Sequence, residues 1–300
     1  MSASTSSGTP GRSGGLAVVT MVRGDALFLD IWARYWRRFV PAASMVVVLD
    51  GPQDALPPAC DGCQVLTLPP VAAFDGFDRA RWAFLSHLAS ALSARFEAVL
   101  LTDVDEIVVL DPRAGDDPAA YILGRAEEVI NPFAMEIVHR IDLEPAFDPA
   151  RPVLAQRRYG RINASYCKPC ITRGPIRWSM GGHQSDHGAL HLSPDLYLLH
   201  LRYLDLGILR ARQALRRGRI AEGSGDVAGH GWSKSADAME GFLQSFVDKG
   251  APEENGLDFG WQRGRIARSF HYDAAQAMWR RGTLTNRRTY TLPERFAGLF

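Results

Sequence analysis

Three acids, Asp103, Asp105 and Glu106, interrupt an otherwise apolar run, AVLLTDVDEIVVLDP, at residues 98–112. Taking a carboxylate out of water is costly unless a partner compensates, so acids set between buried segments predict positive charge nearby. Two aspartates one residue apart at a strand end also offer hard oxygen ligands to a single divalent cation, directly or through water. Strand alternation alone aims Asp103 and Asp105 to one side, leaving Glu106 to point elsewhere or to cap the turn. Downstream, His183, His187, His191 and His200 crowd one short region, and Lys168 stands inside CKPC. That tetrapeptide and CDGC, with Cys60 and Cys63, form two CxxC pairs suited by type to a four-thiolate zinc site. Their separation far exceeds zinc-finger spacing, so unliganded thiols are the favoured reading, ahead of structural Zn2+ and then a redox pair.

Alternating strands and helices lead up to these acids. LAVVTMV (16–22), SMVVVLDGP (44–52) and QVLTLPP (64–70) read as strands. In DALFLDIWARYWRRF, Leu27, Ile31, Tyr35 and Phe39 recur every four residues, as in an amphipathic helix. Over 79–96, Trp82, Leu85, Ala89, Leu92 and Phe96 mark a second one. This alternation predicts an α/β fold with a mostly parallel, doubly wound sheet. Ligands bind such sheets at the carboxyl ends of the strands, where Arg23, Asp50 and Asp103 follow apolar segments. Beyond residue 115 the pattern is irregular, with short strands expected at 170–173 and 196–201. Basic and closing helices follow at 205–219 and 235–250. The basic run from Arg202 to Arg219 reads as a solvated face, with contact to an anionic or membrane-bound acceptor as the alternative.

At 300 residues and 46 % hydrophobic content the chain can bury a substantial core. A net charge of +1 gives no global attraction to nucleic acid. The Ser/Gly-rich start, residues 1–15, reads as a disordered tail without the apolar core of a signal peptide. A cytoplasmic location is expected, with peripheral contact at the inner face of the membrane as an option.

The segments AVVTMVRGDALFLDIWARYW, VVVLDGP and VLLTDVDEIVV together resemble family 2 glycosyltransferases of GT-A fold, in the bacterial subgroup marked by a DVDE-type motif. The resemblance covers residues 16 to 112 and extends more loosely to 205. Where the family often has Lys-Asn-Glu after its first strand, this chain has Arg23, Gly24 and Asp25. The resemblance implies a nucleotide-sugar-binding half at 16–115, an acceptor-side and metal-completing half at 116–204, and a C-terminal helical region at 205–300. It further implies transfer of a sugar from a nucleoside-diphosphate sugar to a glycan, lipid-linked or other hydroxyl acceptor, with inversion. Asp50 would meet the base or ribose, Arg81 the diphosphate or nucleotide, and Asp103 and Asp105 a Mn2+ or Mg2+ ion. His183, beside Gly181 and Gly182, would complete the cation's shell, and Lys168 would neutralise phosphate. Inversion needs a general base, for which Glu136, Asp142 and Glu144 are the candidates, Asp142 favoured and Glu136 next. Trp178 is the aromatic expected to stack on a sugar, and His200 reads mainly as a core histidine.

Two other classes compete. A haloacid-dehalogenase-like phosphatase also places aspartates two apart after an apolar strand, but near the start of its domain, and Ile107 stands where Thr or Val is expected. A non-catalytic nucleotide-sugar or glycan-binding module would keep the residues without turnover.

Overall fold

The computed structural model describes residues 14–51, 55–69, 76–222, 235–285 and 288–300. The first half comprises β1 (Leu16–Val22), α1 (Ala26–Trp36), β2 (Met45–Asp50), β3 (Gln64–Leu68), α2 (Phe77–Ser93), β4 (Ala98–Leu101) and β5 (Glu106–Leu110). The second comprises α3 (Pro118–Leu123), β6 (Val129–Val138), α4 (Val153–Gln156), β7 (Tyr159–Ile162), β8 (Ile171–Thr172), β9 (Leu192–Tyr203), α5 (Leu206–Glu222), α6 (Ala236–Val247), α7 (Gly260–Arg268), β10 (His271–Asp273), β11 (Met278–Arg280) and β12 (Tyr290–Thr291). The expected tail falls outside the described residues up to position 13, while Gly15 accepts the Glu97 N–H at 3.0 Å.

The fold is α/β, built on a mixed ten-stranded sheet compatible with a GT-A-type, Rossmann-like arrangement. Its first half, in the order β4-β1-β2-β3, is parallel throughout. Successive residues of a strand face opposite ways, and here both faces are covered. Ala17, Val19 and Met21 pack with Trp82, Leu85 and Ala89 of α2, whereas Leu16, Val18 and Val22 pack with Trp32 and Trp36 of α1. The sheet is doubly wound because β1, β2 and β4 are buried on both sides, with β3 as a largely exposed edge.

The second half is more regular than its sequence suggests. β6 and β9 are ten and twelve residues long. Pro132 and Glu136 in one, and Asp195 and His200 in the other, break the apolar pattern that marks a strand. β9 runs antiparallel to β5 and parallel to β6, which pairs antiparallel with β7 and β8. The C-terminal region is not helical alone: β10 and β11 form a hairpin, and β12 joins the main sheet at β7.

Arg295, near the C-terminus, donates to both oxygens of Asp111 at the end of β5, at 2.7 and 2.8 Å. Burial pushes the Asp111 carboxyl up, but the hydrogen bonds from Arg295 and Arg113 outweigh it and hold it at about 2. A carboxyl below its unfolded value of about 3.9 adds stability that is complete above that pH and is lost as pH falls through the folded value. Asp111→Asn should therefore lower unfolding free energy by about 2 kcal/mol at pH 7 and by much less near pH 2.5, a convergence measurable in urea titrations across that range.

Candidate active site

The break in the apolar run marks a change of strand. Between β4 and β5 the chain turns, closed by Glu106 N–H donating to the Asp103 carbonyl at 3.0 Å and Asp103 N–H donating to Glu106 Oε2 at 3.3 Å. Glu106 thus caps the turn, while Asp103 and Asp105, off the strand, diverge to different partners. Asp103 accepts from Arg81 of α2 on one oxygen and from Lys168 Nζ, at 3.1 Å, on the other. Lys168 also donates to Glu106 at 2.6 Å. Asp105 accepts from Arg212 Nη1 at 2.8 Å, and His200 Nε2 lies 3.9 Å from the same oxygen. The positive charge that the acids demand is supplied by the protein itself.

CKPC is the device that delivers Lys168. Its carbonyls are bound on both sides: Cys170 accepts from Leu101 N–H at 2.8 Å, and Pro169 accepts from the Trp178 indole N–H at 2.7 Å. The Cys167 thiol accepts from Ala134 N–H at 3.3 Å. The ammonium side chain, 1 % exposed, is left facing two acids and the rings of Trp82 and Tyr166, at 5.4 and 5.2 Å. Burial works against the charge on Lys168, but Glu106 and Asp103 outweigh it and hold its pKa above the usual value. Burial likewise raises the Asp103 carboxyl, yet Arg81 and then Lys168 pull it far below the carboxylate range. Glu106 is pushed up to about 7 by burial, opposed by Lys168 and assisted by the Asp103 charge.

Arg212 was expected on a solvated face, and instead points inward. Its guanidinium grips Asp25, after β1, through two hydrogen bonds of 2.8 and 2.9 Å, lies over the Phe28 ring at 4.2 Å, and reaches Asp105. The signal available in sequence was its position three residues after Leu209, which shares the buried side of α5. Arg210 pairs with Glu240 of α6, and the side chains of Arg216 and Arg219 lie outside the described residues.

On the neighbouring strand ends, Arg23 and Asp50 approach at 3.7 Å. Arg81 and Asp103, 18 % and 25 % exposed, form the partly open portion of the acid cluster. Arg23, Asp50 and Asp103 thus follow or end β1, β2 and β4, and Arg81 and Lys168 both meet Asp103. No protein-family model matches the chain, and no curated protein matches it.

Among the described residues no group of three or more His, Cys, Asp and Glu side chains is arranged to hold a metal ion. The set Asp103, Asp105 and His183 does not fit a divalent cation as it stands: Arg81 and Lys168 occupy Asp103, Arg212 occupies Asp105, and a cation placed there would face all three charges. The two CxxC pairs hold free thiols in separate settings: Arg37 donates to carbonyls of the CDGC turn, whereas CKPC braces Lys168. Asp142 is not a free base, since both oxygens are bound by Arg140, at 2.9 and 2.7 Å, with Arg140 also donating to Thr289. Glu136 is sealed in β6, ion-paired with Arg161 and 3.4 Å from His200. Trp178 is 4 % exposed and packs edge-on against Trp82, so it has no open face for a sugar.

His183 is carried by a loop fixed from beneath. Gly182, at φ +67°, lies against the Trp82 indole so closely that an added Cβ would come within 2.4 Å. The His183 Nδ1–H donates to the Ser165 carbonyl at 2.7 Å. Burial, then the Lys168 charge, depresses the imidazole's pKa to about 3.

Two stability predictions follow from this packing. Removing one partner of a buried ion cluster strands the others, so Lys168→Met should cost about 3–5 kcal/mol, and adding Glu106→Gln should restore part of it. A urea double-mutant cycle with no coupling would refute the junction. Gly182→Ala should cost about 2–4 kcal/mol through strain plus collision. Gly76→Ala, at φ +83° with nothing within 4 Å of the new Cβ, should cost only the strain of about 1 kcal/mol.

Proposed function

We propose that the protein transfers a sugar from a nucleoside-diphosphate sugar to a hydroxyl acceptor, a glycan or lipid-linked glycan. The observation that carries this reading is the rim itself: Arg23, Asp50 and Asp103 stand at the carboxyl ends of parallel strands β1, β2 and β4, with Arg81 reaching in from α2. That edge is where a doubly wound sheet receives nucleotides. In this reading Arg23 and Arg81, the partly open cations, meet the diphosphate, and Asp50 accepts from the base or ribose. Charge grows on the diphosphate as the glycosidic bond breaks, and a preplaced guanidinium stabilises it in the transition state. Transfer in a single displacement, with inversion, is proposed from the sequence resemblance. A divalent cation was part of that resemblance, but the donor set argues against it and no step is assigned to one.

A second reading is favoured by one observation. Each acid of the strand-end cluster is already held by a protein cation, as in a nucleotide-sugar-binding module without turnover. No helix among the described residues is long and apolar enough to cross a membrane. A cytoplasmic site of action, with peripheral membrane contact through α5, belongs to the proposal.

Thermal unfolding with a panel of UDP-, GDP- and dTDP-sugars, followed by assay of nucleoside-diphosphate release, tests both readings. A true donor raises the melting temperature by mass action, and turnover distinguishes the enzyme from the module. Arg81→Gln should weaken binding of that donor about 10- to 100-fold, the worth of a charge-assisted hydrogen bond. Unchanged affinity would remove Arg81 from the donor site.

A further inference from the structure

Resting on the transfer reading, one gap stands out: the attacking hydroxyl must lose a proton, and the three candidate carboxylates are each committed within the protein. Glu136 is held by Arg161 and Asp142 by Arg140, while the two oxygens of Glu144 accept the backbone N–H groups of Arg140 at 3.0 Å and Arg158 at 2.8 Å. The imidazole of His183 is placed differently. Its Nδ1–H is committed to the Ser165 carbonyl, which leaves Nε2 of this half-buried residue as the acceptor nitrogen, with no hydrogen-bonding partner for that atom among the described residues. Gly181 is required beside it, since a Cβ there would stand 2.7 Å from Nε2 and crowd that nitrogen.

The ring is held from several sides. Arg281, following β11, donates to three carbonyls: Ala164 at 2.7 Å, Ser165 at 2.8 Å and His183 at 2.8 Å. One guanidinium therefore fixes both the backbone of the histidine and the carbonyl that sets its tautomer. Tyr166 packs edge-on against the imidazole at 5.2 Å, and its ring also meets the Lys168 ammonium. The adjoining Gly182 rests on Trp82, the residue after Arg81. His183 thus shares a wall with the Arg81–Asp103 mouth. A reactive group oriented by a second group that is itself anchored is the arrangement general bases require.

We propose that Nε2 of His183 takes the proton of the acceptor hydroxyl, with Arg281 as the positioning residue behind it. In the step, the acceptor oxygen forms a bond to the anomeric carbon, and the bond from that carbon to the diphosphate oxygen breaks with its electron pair leaving on the diphosphate. The hydroxyl proton passes to Nε2 and later to solvent. The depressed basicity of the imidazole keeps the lone pair unprotonated at neutral pH. A weak base suffices because the hydroxyl becomes strongly acidic as its new bond forms. A diphosphate bound at Arg81 would add negative charge that raises the basicity during the reaction.

Azide separates this role from a structural one, because it attacks without needing a proton removed. The full chain is assayed with whichever nucleotide sugar it turns over, following nucleoside-diphosphate release with and without sodium azide. His183→Ala and His183→Gln should bind the nucleoside diphosphate within about threefold of wild type, yet lose about 100-fold or more in release, as expected for loss of a general base. Azide should restore release in both variants and yield a glycosyl azide. Arg281→Gln should slow transfer to hydroxyls more than transfer to azide. Retained turnover in His183→Ala, or lost turnover that azide fails to restore in a variant still binding the diphosphate, would overturn the assignment. A wild-type protein that turns over no nucleotide sugar overturns the transfer reading itself, and this inference with it.

Discussion

The buried ammonium of Lys168 is the contact on which the candidate site depends. It comes from the second half of the chain and inserts between Asp103 and Glu106, which bracket the turn where the first half changes from β4 to β5. An isolated charge at that depth would be strongly unfavourable, and so would either acid alone. Together they form a junction in which each member is tolerated because the others are present. Arg212 makes a parallel junction from α5, bridging Asp25 and Asp105. The strand ends that make up the rim are thereby held by charges from two elements remote in sequence.

The consequence for chemistry is that the acids are not idle ligands awaiting a cation. They serve as counter-ions that fix Arg81, Lys168 and Arg212 in place. The groups with unused capacity at the mouth are of a different kind, namely the partly exposed guanidinium of Arg81 and the imidazole of His183. Preorganised donors and acceptors of this sort need little rearrangement when charge moves during a reaction.

What was legible in the sequence follows from which forces are local. The strands and helices up to residue 110 were readable because apolar spacing alone specifies them, and the apolar break around Asp103 correctly called for positive charge. The identity of that charge was not legible. Lys168 and Arg212 reach the acids only through the folded topology, and a basic helix looks solvated until Leu209 and Arg212 are seen to share a face. A DxD spacing suggests one shared cation because strand alternation would aim both aspartates to the same side. The strand ends at Leu101, and the turn sends the two aspartates apart. Arg281 gave no local signal at all, since its role consists of three backbone carbonyls from elsewhere in the chain.

The same polar residues that obscured β6 and β9 in sequence give those strands their register. β5 and β6 are buried along their whole length, so apolar pattern alone barely distinguishes one alignment from the next. Across the sheet, however, Glu106 stands opposite His200, His200 opposite Glu136, and Glu136 opposite Arg161. The row begins at Lys168 and ends where Arg161 lies over the rings of Phe242 and Phe246 in α6. A slip of one residue in any of these pairings would set buried charges against apolar side chains, at a cost far above that of misaligned apolar contacts. The register that satisfies the row is also the one that puts Glu106 at the mouth of the turn, within reach of Lys168. Charge in the core thus aligns the strands, and the aligned strands place the charge at the rim.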